Sequence, residues 1–128
     1  MKTIIAGSRD ITDMTLVYDA VDESGFDISE VVCGKAPGVD TLGESYAVGF
    51  GIPVKSFPAK WKDITVPGAV IRRGKYGLYN AIAGHTRNQQ MAEYADALIA
   101  VWDGQSTGTA DMISRAKKLG LKVYIKYV

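Results

Sequence analysis

Three short glycine-containing turns hold most of the residues in this chain that could do chemistry. They are Gly7-Ser8-Arg9, Gly34-Lys35-Ala36-Pro37-Gly38-Val39-Asp40 and Asp103-Gly104-Gln105-Ser106-Thr107-Gly108-Thr109. Gly7, Gly34, Gly38, Gly104 and Gly108 free the backbone to take positive φ and let a ligand approach with no Cβ in its way. Ser106, Thr107 and Thr109 add hydroxyl donors where a helix should begin, and the positive end of that helix would itself attract an anion. Arg9 and Arg87 each offer a planar fork of donors suited to phosphate or carboxylate, whereas Lys35 offers a point charge. The chemistry these residues share is the holding of an anionic, nucleotide-type ligand. Tight strand-to-helix turns also use glycine for purely structural reasons, and it is the convergence of three of them on one edge that favours a site.

The remaining polar residues are less decisive. Asp40 and Asp103 stand where they could cap helices, and Asp103 also suits a ribose hydroxyl. Thr86-Arg87-Asn88-Gln89 has the spacing of a capping box, which predicts a helix starting at Arg87. A cation opening a helix is unfavourable unless an anion lies nearby, so Arg87 and its neighbour Asn88 join the candidate ligand-binding set. His85 has no second histidine or cysteine near it, so neither a metal site nor a nucleophilic triad is expected. Trp61, Trp102, Tyr76 and Tyr79 could stack on a base, although packing explains aromatic residues at strand ends equally well.

The turns would be positioned by alternating strands and helices. Lys2 to Ala6 is β-branched and apolar, as a buried strand requires, and Thr12 to Ser24 repeats Met14, Val17 and Val21 at helical spacing before Gly25. Glu30 to Cys33 reads as the second strand. Val39 to Phe50 reads as a helix with Val39, Leu42, Tyr46 and Phe50 on one stripe, and Ile52 to Phe57 as the third strand. Periodicity then fails until Thr86. The Arg87 helix runs to about Tyr94, Ala97 to Trp102 is the fourth strand, Thr109 to Leu119 a helix with Ile113, Ala116 and Leu119 inward, and Leu121 to Tyr127 the last strand. This order predicts an α/β fold: one Rossmann-like, doubly wound parallel sheet of five strands in the order 3-2-1-4-5, with helices on both faces and a crevice between the first and fourth strands.

A chain of 128 residues is the usual size for a single domain, here taken as residues 1–128. No apolar run approaches the roughly 20 residues of a membrane span, and the apolar opening is cut short at Gly7, so no membrane partner and a cytoplasmic location are expected. One cysteine, Cys33, cannot form an internal disulfide and reads as core. Net charge is +1, but from Pro58 to Arg87 six basic residues face the single acid Asp63, so that stretch carries +5 and the remainder −4. Positive charge so concentrated suits a local anion site or a solvated loop. A connection as long as 58–86 also has the length of a lid or binding loop.

Taken together and in order, these segments resemble the SLOG superfamily, the Rossmann-like group that includes DNA-processing protein A and the Lonely Guy cytokinin-activating enzymes. The similarity is greatest to its small stand-alone YspA-like members. It is carried by Gly7-Ser8-Arg9, Val32-Cys33-Gly34-Lys35-Ala36-Pro37-Gly38-Val39-Asp40, Phe57-Pro58-Ala59-Lys60-Trp61, Lys75-Tyr76-Gly77 with Ala83-Gly84, Arg87-Asn88-Gln89-Gln90-Met91, and Ala97 to Gly104 with Ser106, Gly108 and Thr109. Two positions depart from the pattern. Pro37 stands where relatives commonly carry arginine, leaving Lys35 as the nearby cation. Arg87 matches the arginine of the Lonely Guy phosphoribohydrolases, but Met112 occupies the place of their glutamate and can neither accept a proton nor stabilise an oxocarbenium charge.

The resemblance and the turns imply binding of a nucleotide-derived small molecule, such as an ADP-ribose-type or cyclic signalling nucleotide, with no separate cofactor and with a homo-oligomer expected. The alternatives are a nucleotide N-glycosidase using Arg87 with Asp103 or Asp111, and single-stranded DNA binding through the basic segment.

Overall fold

The computed structural model describes residues 1–75 and 77–128. Tyr76, one of the aromatic candidates, lies outside the described residues. The sheet contains β1 (Lys2–Gly7), β2 (Glu30–Cys33), β3 (Val54–Ser56), β6 (Ala97–Trp102) and β7 (Lys122–Tyr127), all parallel, in the order β3-β2-β1-β6-β7. This is the expected 3-2-1-4-5 arrangement, renumbered because two further strands intervene in the chain.

Alternation along the buried strands divides the core. Ile5 and Val31 point to one face, against Val17 and Ala20 of α1 (Met14–Ser24) and Val39 and Ala47 of α2 (Val39–Gly49). Ile4, Ala6 and Val32 point to the other, against Met91 and Ala92 of α3 (Ala83–Tyr94) and Met112 and Ala116 of α4 (Thr107–Lys118). The period-2 pleat thus feeds both layers, and the central strands β1 and β6 are largely apolar because neither of their faces meets water. α1 and α2 cover one face and α3 and α4 the other, so the winding reverses between β1 and β6.

Four local expectations are corrected. The segment after Pro58 is not featureless: β4 (Ile71–Gly74) and β5 (Gly77–Asn80) pair as an antiparallel ribbon, Arg72 opposite Tyr79 and Arg73 opposite Leu78. Its side chains are mostly exposed, so it leaves no hydrophobic period to read. α3 starts at Ala83 rather than Arg87, and Thr86 is not its cap, since the Thr86 N–H donates to the Ile82 carbonyl inside the helix (3.0 Å). The entry is instead secured by buried Asn80, whose Oδ1 accepts from the N–H of Val70 (3.3 Å) and of Ile82 (3.2 Å). α4 begins at Thr107 and ends at Lys118, so Thr109, Met112, Ile113 and Ala116 turn inward and Leu119 stays exposed. In α2 the inward stripe is Val39, Gly43 and Ala47, and Phe50, just beyond the helix, is 62% exposed.

Candidate functional site

The carboxyl ends of β1 and β6 open into a cavity of about 570 Å³, bounded by α3 on one side and by the start of α4 on the other. Its volume falls within the roughly 300–1,000 Å³ of small-molecule sites. Nine of the expected site residues line it. Gly7 and Arg9 come from the first turn, Asp40 from α2, Arg87 and Asn88 from α3, and Asp103, Ser106, Gly108 and Thr109 from the third turn and α4. Arg9 forms no ion pair with Asp10 or Asp40 among the described residues.

The other expected residues build the frame. Ser8 is buried and brackets the three turns: its N–H donates to Val101 (3.1 Å), its carbonyl accepts from Val39 (3.4 Å), and its Oγ accepts from the Asp103 N–H (3.1 Å). Gly38 has φ 80° and ψ −130°, and a Cβ there would collide with the backbone of Ser8 and Arg9. The second turn therefore lies directly on the first, an approach only glycine permits. Gly34 serves another close approach: the Arg87 Nη1 donates to its carbonyl, and a Cβ would meet the guanidinium and the Asp40 Oδ2 at 2.9 Å. Lys35 turns away from the cavity, with φ 60°, and pairs with Glu44. Gly104 supplies φ 79° to the third turn without lining the wall.

The third turn is shaped by Asp103, whose Oδ1 accepts from the N–H of Gln105 and Ser106, each at 2.8 Å. Backbone N–H bonds from Ser106 and then Gln105 hold its carboxyl below the usual range. The N-cap residue of α4 is Ser106, not Asp103, and the Ala110 N–H to Ser106 carbonyl bond (3.1 Å) opens the helix. The N–H groups of Thr107, Gly108 and Thr109 precede that bond, so the helix cannot satisfy them. Asp40 is likewise not a cap. Gly38 holds the cap position, and Asp40, only 5% exposed, is packed within α2's first turn. Burial pushes its carboxyl up to about 6, against the opposing pull of Arg87 and of backbone N–H groups at Ala36, Gly34 and Gly7.

Arg87 is fixed by more than a helix start. Burial pulls its guanidinium below the ordinary value, Asp40 opposes that pull and Arg9 adds to it. The Nε donates to Asn88 Oδ1 (2.9 Å), while Asn88 Nδ2 donates to the Gly108 carbonyl (3.3 Å) and to Asp111 Oδ2 (3.0 Å). Asn88 thus ties α3 to the first turn of α4. Asp111 faces away from the cavity, held also by Arg115 Nε at 2.9 Å. Sequence reasoning did not mark Gln105 and His85 as site residues, yet both line the wall, and exposed polar residues carry no periodic signal that could have found them. Trp61 also lines it, packed on Gly84. No cluster of His, Cys, Asp or Glu suited to a metal ion occurs among the described residues.

A model of the YspA, cpYpsA-related SLOG family matches residues 1–63, from β1 through the segment carrying Trp61. The X-ray structure of DNA processing protein A from Streptococcus pneumoniae superposes on 97% of this chain with a TM-score of 0.67 and 18% sequence identity. Over residues 1–63 the chain is similar to the SLOG family. It covers 49% of that Streptococcus chain, about half its length, and the likeness at this identity concerns the fold. No curated protein sequence matches the chain. Met112 is 1% exposed and takes part in both the core and the cavity wall, so the helix position next to Asp111 presents a thioether to the site. No helix among the described residues is long and apolar enough to cross a membrane.

Proposed function

We propose that this domain binds a nucleotide-derived small molecule in the cavity between β1 and β6, as a sensing or sequestering module. The observation that carries the reading is the joint presence, around one cavity, of the unsatisfied start of α4 with its hydroxyls and the Arg87 guanidinium from α3. Free N–H groups at a helix start and a planar cation are together suited to a phosphate. The phosphates would lie on Ser106 to Thr109, with Arg9 and Arg87 closing over them and Asp103 available to a ribose hydroxyl. The 58–86 segment, including the β4–β5 ribbon, would cover the bound molecule. Titration calorimetry against a panel of nucleoside mono- and diphosphates and ADP-ribose tests this. Micromolar binding of at least one supports it, and absence of heat with every phosphorylated nucleoside refutes it.

A hydrolytic role ranks below binding because Asp111 faces away from the cavity, engaged by Asn88 and Arg115, and the position beside it in the wall is Met112, which can neither accept nor donate a proton. Release of free base from nucleoside monophosphates would overturn that ranking. The exposed cations Lys60, Lys62, Arg72 and Arg73 of the 58–86 segment favour a second reading, an extended polyanion such as single-stranded DNA. Binding of an oligonucleotide that weakens steeply with salt and ignores competing nucleotide would favour it over the small ligand.

A further inference from the structure

We infer that Trp61 is the platform on which the base of the ligand stacks, which makes the ligand a purine nucleoside phosphate; this rests on the cavity being the anion site described above. Trp61 lies in the irregular stretch after β3, where nothing regular holds a side chain in place, yet its position is specified from two sides. Its carbonyl accepts from the Asn80 N–H, and Asn80 is itself buried and bonded to Val70 and Ile82. Its ring rests on buried Gly84 in the first turn of α3, where a Cβ would lie 3.0 Å from the indole Cη2 and 3.5 Å from Cζ2. The helix therefore carries no side chain at the point where the indole is seated.

A tryptophan anchored at both backbone and ring would ordinarily be covered, but Trp61 remains 39% exposed and forms part of the cavity wall. Buried and interface tryptophans gain stability by covering that area, so an anchored indole left open to a binding cavity is arranged for a flat partner. The neighbouring charge decides which partner. The same point on Gly84 lies 3.8 Å from Arg87 Nη2, so the indole edge and the guanidinium flank one helical residue. A ligand using both must carry an aromatic ring and an anion separated by a short linker, as a nucleoside phosphate does through its ribose. A two-ring purine covers more of an indole than a pyrimidine does and gains more from the stack.

Calorimetry with ADP, UDP and ribose 5-phosphate as probes, on the wild type and on Trp61→Ala, Trp61→Phe and Gly84→Ala, tests the inference. Loss of a base stack should raise Kd for ADP about 5- to 150-fold in Trp61→Ala. Trp61→Phe should recover most of that loss, and ribose 5-phosphate should bind all variants alike. Gly84→Ala, whose methyl would displace the indole tip while residue 61 stays tryptophan, should weaken ADP more than ribose 5-phosphate. ADP should bind the wild type more tightly than UDP. Equal ADP affinity in wild type and Trp61→Ala, with ribose 5-phosphate still bound, overturns the platform and leaves the anion site standing. Failure of the wild type to bind ADP, UDP or ribose 5-phosphate overturns both.

Discussion

Replacing Gly108 by alanine separates the wall of the site from the frame that supports it. Gly108 is the second residue of α4, lines the cavity, and has helical rather than positive φ; a Cβ there would meet no atom within 4 Å. Alanine is better than glycine inside a helix by roughly 0.5–1 kcal/mol, so the folded state should be unharmed or slightly stabilised. For a domain of this size that corresponds to a rise in Tm of about 2–5 °C. The added methyl occupies the space through which a phosphate would approach the α4 N–H groups, and overfilling a packed contact costs about 1–3 kcal/mol, or roughly 5- to 150-fold in Kd. Urea and thermal denaturation together with calorimetric titration of ADP read both effects. The contrasting variant is Gly38→Ala, whose Cβ would strike backbone atoms of Ser8 and Arg9 that cannot swing aside. Strain at φ 80° adds about 1–3 kcal/mol to a similar overpacking cost, for a loss of roughly 2–6 kcal/mol. Loss of more than about 1 kcal/mol of stability in Gly108→Ala would show that its wall is not open. Unchanged ADP affinity in that variant, with the wild type binding, would show that the anion does not lie on the start of α4.

Asp40 should leave a signature in stability against pH. Burial raises its folded-state carboxyl to about 6 from the ordinary 3.8, so its favourable contribution is complete below about pH 4 and disappears as pH rises through 6. The difference amounts to roughly 3 kcal/mol, and urea midpoints between pH 4 and 7.5 should carry this slope in the wild type and lose it in Asp40→Asn. Asn88→Ala removes the buried amide joining Arg87, Gly108 and Asp111 and should cost about 2–4 kcal/mol by thermal melts, with weakened ADP binding as Arg87 loses its Nε partner. Cys33 is fully buried and burial raises its thiol pKa, so thiol-specific reagents should leave it unmodified in the native protein and label it only as unfolding proceeds.

Local patterns determined the regular part of this protein because each strand and helix announces itself within a few residues. The run Thr3-Ile4-Ile5-Ala6 can only be a strand buried on both faces, and the alternation of such runs with amphipathic stretches leaves a doubly wound sheet as the economical arrangement. The meeting of Gly7, Arg87 and Thr109 at one edge followed from that order, since turns after parallel strands share an end of the sheet. What the chain did not disclose was decided by contacts between residues far apart in sequence. The Thr86 capping box is overruled because Asn80, Ala83 and Gly84 find buried places that begin α3 a turn earlier. Lys35 is lost to the site because Glu44 on α2 draws it outward, and Ser8 because its hydroxyl is needed by Asp103, 95 residues away. Trp61 enters the wall only because Gly84 and Asn80 give it a seat. Periodicity reports which side of an element is buried, but the aim of a polar or aromatic side chain in a loop depends on partners that only the folded chain brings near, and no local pattern encodes them.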